Sequence, residues 1–236
     1  ILQEKRLIEN VPFFIGESDV IREVTEFIGL VAKSATTPVL ILGETGTGKE
    51  LIARAIHFRS TNFSGPLVTV NCAALPKDLI ESELFGYEKG AFSGARASGK
   101  RGWVQEAEGG TLFLDEVGDL SPEAQAKLLR FLEDGEFHRL GGTEKLHVQT
   151  RVISATNKDI EDLIRRGLFR DDLYYRLSVV KMRVPSLNER RDDILPLAKH
   201  FLVEFSRDFG KQFSGISPEA AAALKAYDWR GNVREL

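Results

Sequence analysis

The stretch Pro38-Val39-Leu40-Ile41-Leu42-Gly43-Glu44-Thr45-Gly46-Thr47-Gly48-Lys49 decides how this chain is read. Val39 to Leu42 form a short apolar run ending in glycine, as a buried parallel strand does. Gly43 to Lys49 follow at once, and Leu51, Ile52, Ala55 and Ile56 then recur at helical spacing. Strand, glycine-rich turn and helix in that order are the context a phosphate-binding loop requires. The glycines let the backbone wrap phosphate oxygens, its N–H groups point inward, and the helix N-terminus adds positive potential. In such a loop Lys49 neutralises charge on the β- and γ-phosphates. Glu50 stands where the general pattern carries Ser or Thr to hold Mg²⁺. A carboxylate beside a triphosphate is unfavourable unless the metal offsets it. An acid on the solvent side of a helix's first turn is favoured in any case, so the residues leave the role of Glu50 open.

A second acidic element completes a nucleotide site. Gly110-Thr111-Leu112-Phe113-Leu114-Asp115-Glu116 is an apolar strand ending in two acids. Asp115 at the strand end can hold Mg²⁺, directly or through water, and Glu116 is then placed to polarise an attacking water. The plain alternative, a strand running into a solvated acidic turn, does not explain why a phosphate loop stands upstream.

Similar apolar runs at Leu67–Val70, Val152–Ala155 and Val179–Val184 alternate with helical stretches, which argues for an open α/β sheet covered on both faces. A helix is expected from Ser18 onward on Val20, Ile21, Val24, Phe27, Ile28 and Val31. Another is signed by Ser121-Pro122-Glu123 at its start and Gly135 at its end. Gly141-Gly142 suggests a hairpin or a second projecting loop. After Pro185 the pattern is helical only, with helices over Asp192–Phe209 and from Ser217 through Tyr227. The reading divides the chain into a charged linker remnant over 1–12, an α/β core over 13–187 and a truncated helical lid over 188–236. Because the sequence starts at Ile1 and stops at Leu236 inside a beginning helix, a fragment of a longer chain is expected.

The 236 residues carry a formal charge of −3 with no basic block, so composition does not indicate a dedicated nucleic-acid surface. Cys72 is the single cysteine, which excludes an internal disulfide framework and suits a reducing cytosol. It is read as a small buried residue. His57, His138, His147 and His200 show no metal-ligand spacing. No apolar run approaches the roughly 20 residues of a membrane span.

Gly90-Ala91-Phe92-Ser93-Gly94-Ala95 sets one phenylalanine on a glycine-hinged turn. A large apolar side chain on a projecting loop points to contact with something outside the fold; a buried turn is the alternative reading.

The phosphate loop, the Asp-Glu strand end and the trailing helices resemble the AAA+ ATPases. Glu83-Leu84-Phe85-Gly86-Tyr87-Glu88-Lys89, running into the Phe92 segment, narrows the likeness, as does Phe169-Arg170-Asp171-Asp172-Leu173-Tyr174-Tyr175-Arg176-Leu177. From about Ile15 to Leu236 the chain resembles the central domain of bacterial sigma-54-dependent transcription activators (enhancer-binding proteins). In that family Glu normally follows the phosphate-loop lysine, so Glu50 departs from the general motif alone.

The resemblance implies a cytoplasmic ATPase that needs ATP and Mg²⁺ and assembles as a ring, most often a hexamer. Gly43, Glu44, Thr45, Gly46, Thr47, Gly48, Lys49 and Glu50 then surround the phosphates, and Asp115 and Glu116 are the metal-linked and catalytic acids. Asn71 matches an asparagine that holds the catalytic glutamate back. Thr156 and Asn157 match the sensor of the γ-phosphate, and Arg234 the lid arginine of the second sensor. Arg170 and Arg176 match arginines that reach a neighbouring subunit's ATP. Read without the family, the two arginines favour ion pairs with Asp171 and Asp172, Asn71 a buried turn, and Thr156-Asn157 a strand-end cap. The implied partner is sigma-54 in RNA polymerase holoenzyme, gripped by Gly90, Ala91, Phe92, Ser93, Gly94 and Ala95, while DNA is contacted by a domain outside this segment.

Two positions depart from the relatives. Ser93 replaces the usual threonine and keeps only its hydroxyl, so a weaker grip on the partner is expected. Arg230 stands where proline is usual before Gly231, which leaves that turn less fixed. Two rivals share parts of the site. A nucleic-acid motor, of helicase or clamp-loader type, is kept alive by Lys89, Arg96, Lys100 and Arg101 around the Phe92 loop; a module that binds ATP without turnover is opposed by Glu116.

Overall fold

The computed structural model describes residues 15–92 and 98–236. The linker expected over 1–12, and Ser93, Gly94, Ala95 and Arg96 of the Phe92 segment, lie outside the described residues.

Five parallel strands form the central sheet: β1 (Val39–Leu42), β2 (Leu67–Asn71), β3 (Thr111–Asp115), β4 (Arg151–Thr156) and β5 (Val180–Arg183). Their spatial order is β2-β3-β4-β1-β5, so the chain crosses from one edge to the centre and then to the other edge. Register is set by period-two burial. Val39 and Ile41 face one way with Phe113, Ile153 and Ala155, against helices α1 (Asp19–Val31) and α2 (Lys49–Arg59). Leu40, Leu112, Leu114 and Val152 face the other way, against α3 (Lys77–Phe85) and α4 (Pro122–Asp134). Burying each such side chain contributes roughly 1.5–3 kcal/mol, and a slip of one residue would send every one of them to the wrong face.

The end signals act as the sequence predicts. Ser18 caps α1, accepting from Ile21 N at 3.4 Å, and Ser121 Oγ accepts from Ala124 N at 3.3 Å at the head of α4. Gly135 closes α4 at φ 70°. Arg151, fully buried at the start of β4, donates through Nη2 to Val31 O at 2.9 Å and through Nε to Thr37 O at 3.2 Å. It thereby ties the start of β4 to the end of α1, where Val31 O also accepts from Ser34 N at 3.3 Å, while burial pushes its pKa down to about 10.

Two hairpins project from the sheet. Glu136–His138 pairs antiparallel with Lys145–His147, which settles the Gly141-Gly142 segment as a hairpin. Gly86-Tyr87 pairs antiparallel with Lys100-Arg101 and carries the Phe92 segment between its arms. The two are joined where Glu88 N donates to Leu140 O and Leu140 N donates to Gly86 O, both at 2.9 Å. The Phe92 hairpin and α3 together are an insertion between β2 and β3.

Beyond Pro185 the chain is helical, with α6 (Ile194–Asp208), α7 (Pro218–Ala226) and α8 (Asn232–Glu235). The helix expected to begin at Asp192 is preceded by a 3₁₀ segment, Leu187–Asp193, under a Ser186–Glu189 capping box. Leu187, Ile194, Leu197 and Trp229 form a small core of their own. Asp193 is buried and accepts from Glu17 N at 2.7 Å, Ser18 N at 2.8 Å and Ser18 Oγ at 2.6 Å, tying this region to the start of α1. Among the described residues no helix is long and apolar enough to cross a membrane.

Candidate nucleotide site

The carboxyl ends of β1, β3 and β4 meet at one edge of the sheet, where ligands of open α/β sheets collect. There Gly46 and Gly48 take φ of +81° and +99°, and the loop they shape turns directly into α2. Lys49, 7% exposed, folds its Nζ back onto Gly43 O at 2.8 Å and Glu44 O at 3.1 Å. Burial lowers its pKa, partly offset by Glu116 and Asp115, and Arg234 lowers it further.

Asp115 ends β3 and Glu116 follows in the left-handed region at φ 52°, ψ 50°. That conformation is rare for a residue with a side chain and persists only where the surroundings impose it. Here Glu116 Oε2 accepts from Asn157 N at 3.1 Å and from Thr156 Oγ1 at 3.4 Å, and Oε1 lies 3.8 Å from Lys49 Nζ. Burial, and then the neighbouring Glu116 charge, raise the Asp115 pKa, with Lys49 opposing. Asn157 donates its amide to Thr45 Oγ1 at 2.8 Å, so phosphate loop, β4 terminus and β3 terminus form one hydrogen-bonded chain.

These groups surround a cleft of about 370 Å³ that also receives Asn71, Glu50 and Arg234. Asn157 borders a second cleft on the far side of the loop, with Arg183 and Glu189. Two cations and an acidic pair facing one another across glycine backbone are the donor set for a phosphate chain accompanied by a divalent cation. Among the described residues no three His, Cys, Asp or Glu side chains gather as a metal cage.

Some residues read from the sequence stand differently. The Asn71 amide oxygen accepts from Ala73 N at 2.9 Å and Ala74 N at 3.1 Å, capping a turn on the surface; Glu116 is bound by Thr156 and Asn157 instead. Glu50 pairs with Arg54 one turn on, at 2.8 Å. Arg170, the N-cap of helix α5 (Asp171–Leu177), and Arg176, on the exposed side of that helix, lie away from this cleft. The first makes a two-pronged pair with Asp172 at 3.0 and 2.7 Å, and the second lies 3.8 Å from Glu133. Phe92 is 39% exposed and packs edge-on against Tyr87, ring centres 5.0 Å apart. Cys72 is buried, and that burial pushes its thiol pKa up to about 12.

Asn232 was missed as a functional candidate. It is fully buried at the head of α8 and reaches the phosphate loop, with Nδ2 at 3.0 Å from both Thr45 O and Glu44 Oε2. Its signal in the sequence was slight: an asparagine after glycine, a residue type that tolerates positive φ.

The sheet order, loop and helical cap together define a phosphate-loop nucleoside-triphosphatase fold of the AAA+ kind. Within that class the chain belongs to the sigma-54 interaction domain family, which matches residues 14–183, while the AAA+ ATPase lid domain matches 188–236. It is 52% identical over 222 residues to nitrogen fixation protein AnfA of Azotobacter vinelandii, covering 94% of this chain and 41% of the relative. To the DNA-binding transcriptional regulator NtrC of Escherichia coli (strain K12) it is 48% identical, covering 94% of this chain and 47% of that one. The crystal structure of NtrX from Brucella abortus in complex with ATP superposes with a TM-score of 0.87 at 40% identity, over 99% of this chain and 50% of that one. The chain thus spans about half the length of the relatives it matches.

Proposed function

We propose that this chain is the ATPase engine of a cytoplasmic sigma-54-dependent activator, with a core over 13–187 and a lid over 188–236. It works as a ring, most often a hexamer, coupling ATP hydrolysis to remodelling of the sigma-54 RNA polymerase closed complex; DNA is held by a domain beyond this segment. The reading rests above all on Glu116, whose carboxylate is held 3.8 Å from Lys49 in a strained backbone conformation beside a phosphate loop. The ATP complex of NtrX, a 40% identical relative in structure, supports ATP as the nucleotide.

In this reading the amides from Gly43 to Glu50 and the Lys49 ammonium bind the phosphates, and Glu116 takes the proton of the attacking water. Mg²⁺, when bound with ATP, supplies positive charge to the phosphate oxygens, and Asp115 is the carboxylate that holds it. Asn157 and Arg234 bind the γ-phosphate from the core and the lid. The exposed side chains of Arg170, at the N-cap of α5, and Arg176, on α5, exchange their present partners for a neighbouring subunit's nucleotide. The Phe92 segment is joined to the cleft through α3 and the turn capped by Asn71, so Asn71, Tyr87 and Phe92 lie along one continuous stretch between β2 and β3.

The nucleic-acid motor finds no support here. Lys100, one of the cations that kept it open, is paired with Glu83, and Glu88 of the same hairpin is paired with Arg139 at 2.9 Å. The proposal is tested by phosphate release from Mg²⁺ and ATP. The Glu116→Gln variant should keep ATP affinity and lose turnover; turnover at the parent rate would remove Glu116 from the mechanism.

A further inference from the structure

Asn232 makes contacts that none of the roles above uses. It is 0% exposed and holds φ of +55°, a conformation that costs free energy in any residue with a side chain. Its amide nitrogen donates to Thr45 O and Glu44 Oε2, and its amide oxygen accepts from Leu187 N at 2.7 Å. Both ends of the side chain are therefore used, the nitrogen on the exposed phosphate loop and the oxygen on buried Leu187. The next residue continues the seam, with Val233 N donating to Gly46 O at 3.0 Å. Leu187 opens the 3₁₀ segment that follows β5 and leads into the helical cap. One side chain thus joins three parts: the phosphate loop, the 3₁₀ segment and the head of α8.

Arg234 lies two residues beyond Asn232 and lines the phosphate cleft. Without the seam, α8 is held to the loop by no other hydrogen bond between backbone groups. We infer that Asn232 is a positioning residue: it straps the lid to the phosphate loop and so fixes Arg234 over the phosphates. The inference deepens the proposed role of Arg234 and rests on it. The strap also runs in reverse. A phosphate chain that reshapes Thr45 O and Gly46 O changes what Asn232 and Val233 can bond, and the lid orientation follows.

The test uses Asn232→Gly, which accepts the positive φ and removes only the amide, with Asn232→Asp as a second variant that keeps the acceptor for Leu187 N and removes both donors. Spin labels on Thr61→Cys in the core and Glu219→Cys in the lid, both exposed sites, report the core–lid distance without nucleotide. Cys72 is buried and does not compete for label. The strap predicts a single narrow distance in the parent and a broadened distribution in both variants. Calorimetry with ATPγS should show affinity falling on the order of tenfold in Asn232→Gly, the upper range for one net hydrogen bond. In an Arg234→Ala background the same change should add nothing further. An unaltered distance distribution, or losses that simply add to that of Arg234→Ala, would overturn the inference. Should Arg234→Ala by itself leave ATPγS affinity intact, the role given to that arginine falls, and the distance measurement still decides the strap.

Discussion

Replacing Gly46 by alanine should loosen this protein far more than the same change two residues away at Gly48. Both glycines hold positive φ, so each alanine costs about 1–2 kcal/mol in backbone strain. Their surroundings differ. A methyl at Gly48 meets only Leu51 Cδ1 at 3.8 Å, an ordinary contact. A methyl at Gly46 runs into the carbonyl oxygen of Gly231 and lies 3.1 Å from Arg234 Cβ, so the head of α8 must retreat. Retreat breaks the Val233 N–Gly46 O and Asn232 Nδ2–Thr45 O bonds, about 1 kcal/mol each. Gly46→Ala therefore costs about 3–4 kcal/mol against about 1–2 for Gly48→Ala. At about 2–4 °C per kcal/mol for a chain of this size, the two melting temperatures should differ by about 4–8 °C. Thermal unfolding by circular dichroism without nucleotide, on both variants side by side, measures it. Equal melting temperatures would refute the close seating of the lid on the phosphate loop.

Arg170→Ala and Arg176→Ala should leave the melting temperature nearly unchanged, because solvent screens exposed ion pairs; if either arginine acts across subunits, phosphate release should fall by roughly 10³–10⁵. Phe92→Ala should keep ATP hydrolysis and lose capture of sigma-54 in a pull-down, and a loss of nucleotide binding would contradict the separation of the two roles. Burial, reinforced by the Arg151 charge, lowers the His57 pKa below 6.5. Its neutral form is favoured in the folded chain, so that stability is present above pH 6.5 and is lost as pH falls through the lowered value; His57→Gln should flatten the acid limb of a pH–melting curve. For Cys72 the sign is opposite, since a pKa raised from 9.0 to about 12 gives stability that is lost as pH rises across that window. The thiol should therefore stay unlabelled by a disulfide reagent at pH 8 until the chain unfolds.

What the sequence made legible was what short-range chemistry decides. Val39–Leu42 followed by glycines and a helix reads as a phosphate loop because strand, turn and helix are neighbours in the chain. Ser121-Pro122 and Gly135 mark their helix with a cap at each end. Short or irregular pieces were harder. The 3₁₀ turn at Leu187–Asp193 contains Arg190 at φ −130°, outside helical space, and only its Ser186–Glu189 capping box betrays it. Contacts between distant residues left no local trace. Asn232 meets Thr45 and Glu44 across nearly the whole chain, and nothing around either loop advertises the other. Arg170 shows the reverse case: its pair with Asp172 was readable from spacing, yet that pairing describes the lone chain and says nothing of a neighbour.

In the proposed function, nucleotide state controls the grip of an assembled ring on sigma-54. Native mass spectrometry of the chain mixed with purified sigma-54, Mg²⁺, ADP and aluminium fluoride tests it directly, since the metal fluoride stands in for the phosphoryl group in transfer. A ring carrying sigma-54 is expected in that mixture and none with ADP alone; a ring that forms with the metal fluoride but carries no sigma-54 would refute the proposal.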